Sequence, residues 1–299
     1  MSNYDELHRF LLNAANVRGE LVRLEESLQP IVHSVEYPVQ IQRLLSEMAA
    51  ATSLLTAILK FKGEIGLQIQ SKGPVNYAVI NATHDYTMRG VARWDESLTV
   101  LPETFQELLD SAVLVITITP QEGERYQGVV ALDKPTLAEC LEEYFTQSEQ
   151  LATKVTLMTD MSEPTRARAA GILLQVLPSQ AANTDVKLDT EFEHVCKLTE
   201  TLTEEEMFSL PVNDILYRLY HQEEVEVYPP HPVTFACSCS KQRSADALRN
   251  VDKQELLQII EEDGAIKMNC QYCHSEYVFD SVDVEAIHNG QFVETRKDQ

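Results

Sequence analysis

Phe235-Ala236-Cys237-Ser238-Cys239-Ser240 and, with thirty residues between Cys239 and Cys270, Cys270-Gln271-Tyr272-Cys273 decide how the C-terminal part of this 299-residue chain is read. A one-residue gap on an extended strand turns both side chains to the same face. A two-residue gap around a turn brings two sulfurs to one point. Together the pairs offer four thiolates, the tetrahedral set that zinc takes in a closed structural site, whereas a catalytic zinc keeps one position open. The segment carrying them, roughly sixty residues, buries too little surface to be comfortable alone. Structural zinc supplies roughly 10–16 kcal/mol of apparent binding free energy at neutral pH, which becomes folding free energy. One zinc ion on Cys237, Cys239, Cys270 and Cys273 is therefore expected, and its loss should unfold the segment.

Spacing alone leaves open whether such a zinc is static or switched. Cys237 and Cys239 are close enough in sequence to form a disulfide only with strain, and strained disulfides are readily reduced again. Cys270 and Cys273 have the spacing of thiol–disulfide exchangers. Zinc holds sulfur as thiolate, the form that oxidants attack. These features favour a redox switch. Cys270-Gln271-Tyr272-Cys273-His274 also matches a haem-attachment pattern, but that leaves Cys237 and Cys239 unexplained. His231 or His274 could replace one cysteine as ligand. Cys140, on the apolar stripe of its helix, and Cys196, near Phe192 and Val195, read as packing residues. His84-Asp85 lies in a turn without a serine partner, and no phosphate-binding glycine loop or nucleophile elbow occurs. No catalytic residue is assigned, and the expectation is a protein that is not an enzyme.

Outward from the cysteines, three regions differ in character, and the expected fold class is α+β. Residues 1–178 read as a mixed core domain with a mainly antiparallel sheet. Ile41, Leu44, Leu45, Met48, Leu55, Ile58 and Leu59 recur at helical spacing. Residues 64–70, 75–83, 86–94, 112–119 and 127–132 alternate like strands. Residues 137–151 and 165–177 read as helices, the second stopped by Pro178. Residues 179–231 form an acidic helical linker. From Asp185 to Glu226 twelve acidic residues face three basic ones, a net of −9. Thr203 with Glu206 makes a capping box, and Pro229, Pro230 and Pro232 break any helix. So charged a segment should be metastable and depend on docking elsewhere. Residues 232–299 form the cysteine domain, with a helix capped by Asp252 and ended by Gly264, a small hairpin, a last helix capped by Ser281, and a solvated tail at Glu294–Gln299.

The whole chain carries 24 Lys+Arg against 47 Asp+Glu, a net charge of −23. Such a surface repels phosphate backbones and anionic membranes, so neither nucleic acid nor membrane is an expected partner. No apolar run approaches the eighteen or so residues of a membrane span. The N-terminal residues do not read as a secretory signal, so a reducing cytoplasmic location is expected.

Several segments resemble the heat-shock protein 33 family, the redox-regulated bacterial 33 kDa chaperonins. They are Phe61-Lys62-Gly63-Glu64-Ile65-Gly66-Leu67-Gln68-Ile69-Gln70 with Gly73-Pro74-Val75, Arg125-Tyr126-Gln127-Gly128-Val129, Leu137-Ala138-Glu139-Cys140-Leu141, and both cysteine pairs. The resemblance implies a stress-response chaperone that is inactive while reduced and zinc-bound. It implies disulfides Cys237–Cys239 and Cys270–Cys273 on oxidation, zinc release, unfolding of the cysteine module and linker, ATP-independent holding of unfolding clients, and a homodimer. Leu198, Leu202, Met207, Phe208, Leu216 and Tyr220 are the linker residues expected to add apolar surface for clients. A thiol–disulfide oxidoreductase using Cys270–Cys273 and a zinc-ribbon interaction module are the alternatives.

Overall fold

The computed structural model describes residues 4–59, 62–177 and 185–293, which form two compact units, Met1–Ala236 and Cys237–Gln299. Phe61, the expected helix stop Pro178 and the expected tail Glu294–Gln299 lie outside the described residues.

The first unit opens with a hairpin, β1 (Glu6–Leu12) and β2 (Val17–Leu24), then a helical turn α1 (Gln29–Val32) and the long helix α2 (Val39–Ile58). Strands β3 (Gly63–Gln70), β4 (Val75–Thr83) and β5 (Thr87–Trp94), the turn α3 (Phe105–Leu108), and strands β6 (Val113–Pro120) and β7 (Tyr126–Ala131) follow. Helix α4 (Leu137–Tyr144) runs into a π-helical turn, Phe145–Glu149, before β8 (Thr153–Asp160) and β9 (Arg168–Val176). Helices α5 (Asp185–Thr199), α6 (Glu204–Ser209) and α7 (Val212–Tyr220) lead to three short strands, β10 (Val225–Val227), β11 (His231–Pro232) and β12 (Thr234–Phe235).

One sheet has the order β10-β1-β2-β9-β8, with β11 also on β1; the other has the order β12-β5-β4-β3-β6-β7. Every pairing is antiparallel except β12 on β5. Helix α2 contacts β3, β4 and β5 of one sheet and β2, β8 and β9 of the other. Its stripe and its small residues Ala49, Ala50 and Ala51 are buried together in the larger core. The α+β class and the antiparallel sheets match the sequence reading.

The expected helix over 165–177 is the strand β9. Its Ala- and Leu-rich run favours a helix by propensity, yet it is the second-innermost strand, between β2 and β8, and is buried on both faces. Ala169 and Leu173 point into the core around α2, and Ala170, Ile172 and Leu174 into a second core on the other side. A strand buried on both faces has no alternation to reveal it. For the same reason β2, buried along most of its length, left no signal as a strand.

The second unit comprises α8 (Lys241–Leu248), α9 (Lys253–Asp263), the hairpin β13 (Ile266–Asn269) and β14 (Glu276–Phe279), and α10 (Ser281–His288). Asp252 caps α9 through the N–H groups of Gln254 and Glu255, and Gly264 ends it at φ +83°. The cap of α10 is Asp280 rather than Ser281: its carboxylate takes the Asp283 N–H at 2.8 Å while Asp283 returns the bond. Aspartate satisfies an orphan N–H as well as serine does. The core is small: Ala245, Leu248, Leu256, Ile266, Phe279, Val284, Ile287 and Phe292 are its buried residues.

Candidate metal centre and the docked linker

Cys237 and Cys239 sit on the extended stretch before α8, whose first turn is capped by Ser240 accepting the Arg243 N–H. Arg243 also donates from Nη1 to the Ser238 carbonyl and hydroxyl, both at 2.6 Å, fixing the residue between the two cysteines. Cys270 and Cys273 occupy the turn between β13 and β14. The Cys270 N–H donates to Ser275 O at 3.0 Å and the His274 N–H to Cys270 O at 2.9 Å, with His274 in the left-handed region at φ +56°. The turn folds back on itself and aims both sulfurs inward.

The four Sγ atoms all lie within 4.8 Å of one another. Cys237–Cys270 are 3.6 Å apart and Cys239–Cys273 3.3 Å, and all six cysteines are free thiols. Among the described residues this cluster contains the four cysteines and neither His231 nor His274. The His231 ring instead stacks on Tyr86 at 5.0 Å and meets Arg9 at 3.1 Å. Tyr277 donates its hydroxyl to Cys239 Sγ at 3.1 Å, and Ser275 Oγ lies 3.2 Å from Cys273 Sγ. Neither residue was singled out by sequence reasoning; only the register of the hairpin brings Tyr277 to the cluster.

Burial and the neighbouring sulfurs push the Cys239 thiol up to about 12, against the Tyr277 hydrogen bond. Burial also opposes ionisation of Cys273, but hydrogen bonds from Ser275 and the adjoining thiols overcome it and bring that group down to about 6. One thiolate forms easily here, and four so close together repel each other unless a cation lies between them. The donor set therefore suits a sulfur-seeking metal ion. Cys140 is buried in the core around α2, and burial pushes Cys196 up to about 12, so neither is poised as a nucleophile.

A second feature lies in the first unit. Helices α5–α7 cover the face of the β1-β2-β9 sheet opposite α2. Leu202, Met207, Phe208, Leu216 and Tyr220 are buried there, Leu198 partly so, against Phe10, Leu12, Val17, Leu21, Ala170, Ile172 and Leu174. Gly19 leaves room for the Phe10 ring, since a Cβ there would fall 2.1 Å from it, and Phe10 thereby reaches Tyr220 at 5.8 Å. The Tyr220 hydroxyl pairs with Thr199 at 2.6 Å. The wholly buried Arg23 donates to the carbonyls of Met207 at 3.1 Å and Leu210 at 2.6 Å and lies over the Tyr4 ring. The six linker residues singled out in the sequence thus sit on one docking face.

A family model described as Hsp33 protein matches residues 5–280. The chain is 63% identical to the 33 kDa chaperonin of Pseudoalteromonas atlantica over 298 residues, 99% of this chain and 100% of that protein. It is 54% identical to the 33 kDa chaperonin of Shewanella sediminis over 294 residues, 98% and 99% of the two chains. The crystal structure of the 33 kDa chaperonin of Thermotoga maritima superposes with a TM-score of 0.78 at 22% identity, covering 96% of this chain and 99% of that one, and so shares its fold. Similarity that runs through both units and across all four clustered cysteines leaves one assignment: the chain belongs to the Hsp33 family.

Proposed function

We propose that this protein is an ATP-independent holdase, located in the cytoplasm and switched on by oxidation of Cys237, Cys239, Cys270 and Cys273. The sulfur cluster carries the reading. In a tetrahedral zinc site with bonds of about 2.3 Å, sulfurs stand about 3.8 Å apart, and the four Sγ atoms, all within 4.8 Å of one another, lie close enough to take one ion with small shifts. When bound, one zinc ion supplies the positive charge that lets all four sulfurs ionise and the folding free energy that so small a core lacks. Oxidation of Cys237 with Cys239, and of Cys270 with Cys273, removes all four ligands. Each pair of thiolates gives up two electrons and forms one S–S bond, while one peroxide takes those electrons with two protons from solvent and becomes two waters. The pairing follows the family resemblance, and short loops keep these partners close even in an unfolded segment.

The linker, residues 179–231, is the second part of the switch. Freed from its face, it exposes the apolar residues of α5–α7 and of β1, β2 and β9, while the −23 charge keeps complexes dispersed. Oxidised chains then pair as homodimers. The test is to treat the protein with peroxide at raised temperature, follow zinc release with a chelating dye, and measure suppression of client aggregation. Stoichiometric suppression that begins only after zinc release is expected. Catalytic thiol turnover would instead assign an oxidoreductase, and neither activity would leave a zinc-ribbon interaction module.

A further inference from the structure

The eleven residues 225–235, which end one residue before Ala236-Cys237, close an edge of both sheets in the first unit. Strands β10 and β11 pair with β1, and β12 pairs with β5. Without this strap β1 and β5 are edge strands. An edge strand presents a row of unpaired N–H and C=O groups, a template for any extended chain.

The strap is a poor strand. Pro229, Pro230 and Pro232 have no N–H to give, so between Tyr228 and Val233 only His231 offers a backbone donor. Beyond its short ladders on β1 and β5, its main-chain ties are Tyr228 N–H to Arg9 O at 2.9 Å, Val233 N–H to Asp5 O at 2.8 Å and Thr234 N–H to Tyr86 O at 3.1 Å, with Ala236 N–H to Met88 O at 3.0 Å just past its end. Side chains add to these ties. Val233 is buried in the larger core, and His231 is clamped between Arg9 and Tyr86. A proline-free extended chain could fill the same two edges with a fuller ladder.

We infer that the edges of β1 and β5, covered by the strap in the resting protein, are where extended segments of unfolded clients add as strands. This rests on the holdase reading and specifies its client: a proline-poor, β-capable stretch of unfolded polypeptide, held by main-chain bonds and therefore without sequence specificity. The apolar face under α5–α7 is a different surface, and an outcome below separates the two.

The test is amide hydrogen exchange on the full chain in three states: reduced with zinc, peroxide-activated, and peroxide-activated with reduced, carboxymethylated lactalbumin as a permanently unfolded probe. Activation should remove protection from the strap-facing amides of Leu7, Arg9, Leu11 and Met88, while the alternate amides stay paired to β2 and β4, and the probe should restore it. If the probe binds while these strap-facing amides go on exchanging freely, clients sit elsewhere; the strand-addition inference is then wrong and the holdase reading stands. If they stay protected throughout activation yet the probe binds, the strap never leaves and the inference is again wrong. A probe that does not bind the activated chain refutes the holdase reading itself.

Discussion

Leu216→Ala should switch this protein on without an oxidant. Leu216 lies on α7 and is almost wholly buried against β1, β2 and β9. Removing three of its carbons loses transfer free energy and leaves a cavity, about 2–5 kcal/mol for buried leucines. Converted at 1.4 kcal/mol per decade, that raises the population of the undocked linker by ~30-fold to several thousand-fold. Local opening is the expected response. Helices α6 and α7 have 6 and 9 residues, below the length at which isolated helices persist in water, so they depend on this face. The variant is measured reduced, with its zinc content verified. Amide exchange in α5–α7 should accelerate, and suppression of client aggregation should appear without peroxide. Leu45→Ala is the control. It removes the same atoms from the wholly buried α2 side and should lower global stability without freeing the linker. If Leu216→Ala leaves linker exchange at the parental rate while its melting temperature falls like the control's, the linker is no separate unit and the switching argument fails.

Four further outcomes follow from the same structure. Cys270→Ser removes one of four clustered thiols, so zinc content should fall well below one per chain and protease should digest residues 237–293 while the first unit survives. Tyr277→Phe deletes the hydroxyl donor to Cys239; zinc affinity by chelator competition should fall about 10–100-fold, the usual cost of losing an outer-shell partner. Glu20→Gln should raise the melting temperature at about pH 8 and progressively less toward about pH 5.5. Burial lifts the Glu20 carboxyl from 4.5 to about 7 despite Arg18 and Arg9, so its native form keeps a proton that the unfolded chain has lost. Stability contributed by that proton, roughly 3 kcal/mol, drains away as pH rises through 7; equal melting temperatures across this range would refute the assignment. Added sodium chloride should slow linker exchange in the zinc-free protein, because screening relieves the self-repulsion of a −9 segment more than it weakens exposed pairs such as Arg218–Glu206.

The cysteine site was legible because metal chemistry dictates local spacing. Four residues at two short intervals are enough, and the structure brings those four sulfurs together. The caps Thr136, Thr203 and Asp252 work through nearest neighbours and show in sequence for the same reason, although Thr136 was not singled out. What failed depended on partners far along the chain. Strand β9 reads as a helix until β2 and β8 flank it and two cores claim its alternate side chains. Arg23 lies in a stretch that carries no strand signal, and nothing local foretells that it will be buried and bonded to carbonyls 184 and 187 residues away. Tyr277 likewise meets Cys239 across 38 residues.

Arg23 also bears on the proposed release of a linker that buries so many apolar side chains. A guanidinium carried out of water costs several kcal/mol. Here the two carbonyls of the α6 segment offset part of that cost, alongside the Tyr4 ring and the nearby Glu6 and Glu25 carboxylates, and those two bonds are lost if α6 lifts. Once α6 lifts, the carbonyls and the guanidinium all regain water, so the release of a buried charge opposes the loss of apolar contact. The acidic surface works in the same direction, since Glu204 and Glu205 stand exposed on the first turn of α6. Strands β2 and β9 have no such release: each pairs on both edges and is packed on both faces. The contrast locates the weak seam of the first unit between helix and sheet rather than within the sheet, and the chain leaving that seam runs through the strap directly to Cys237.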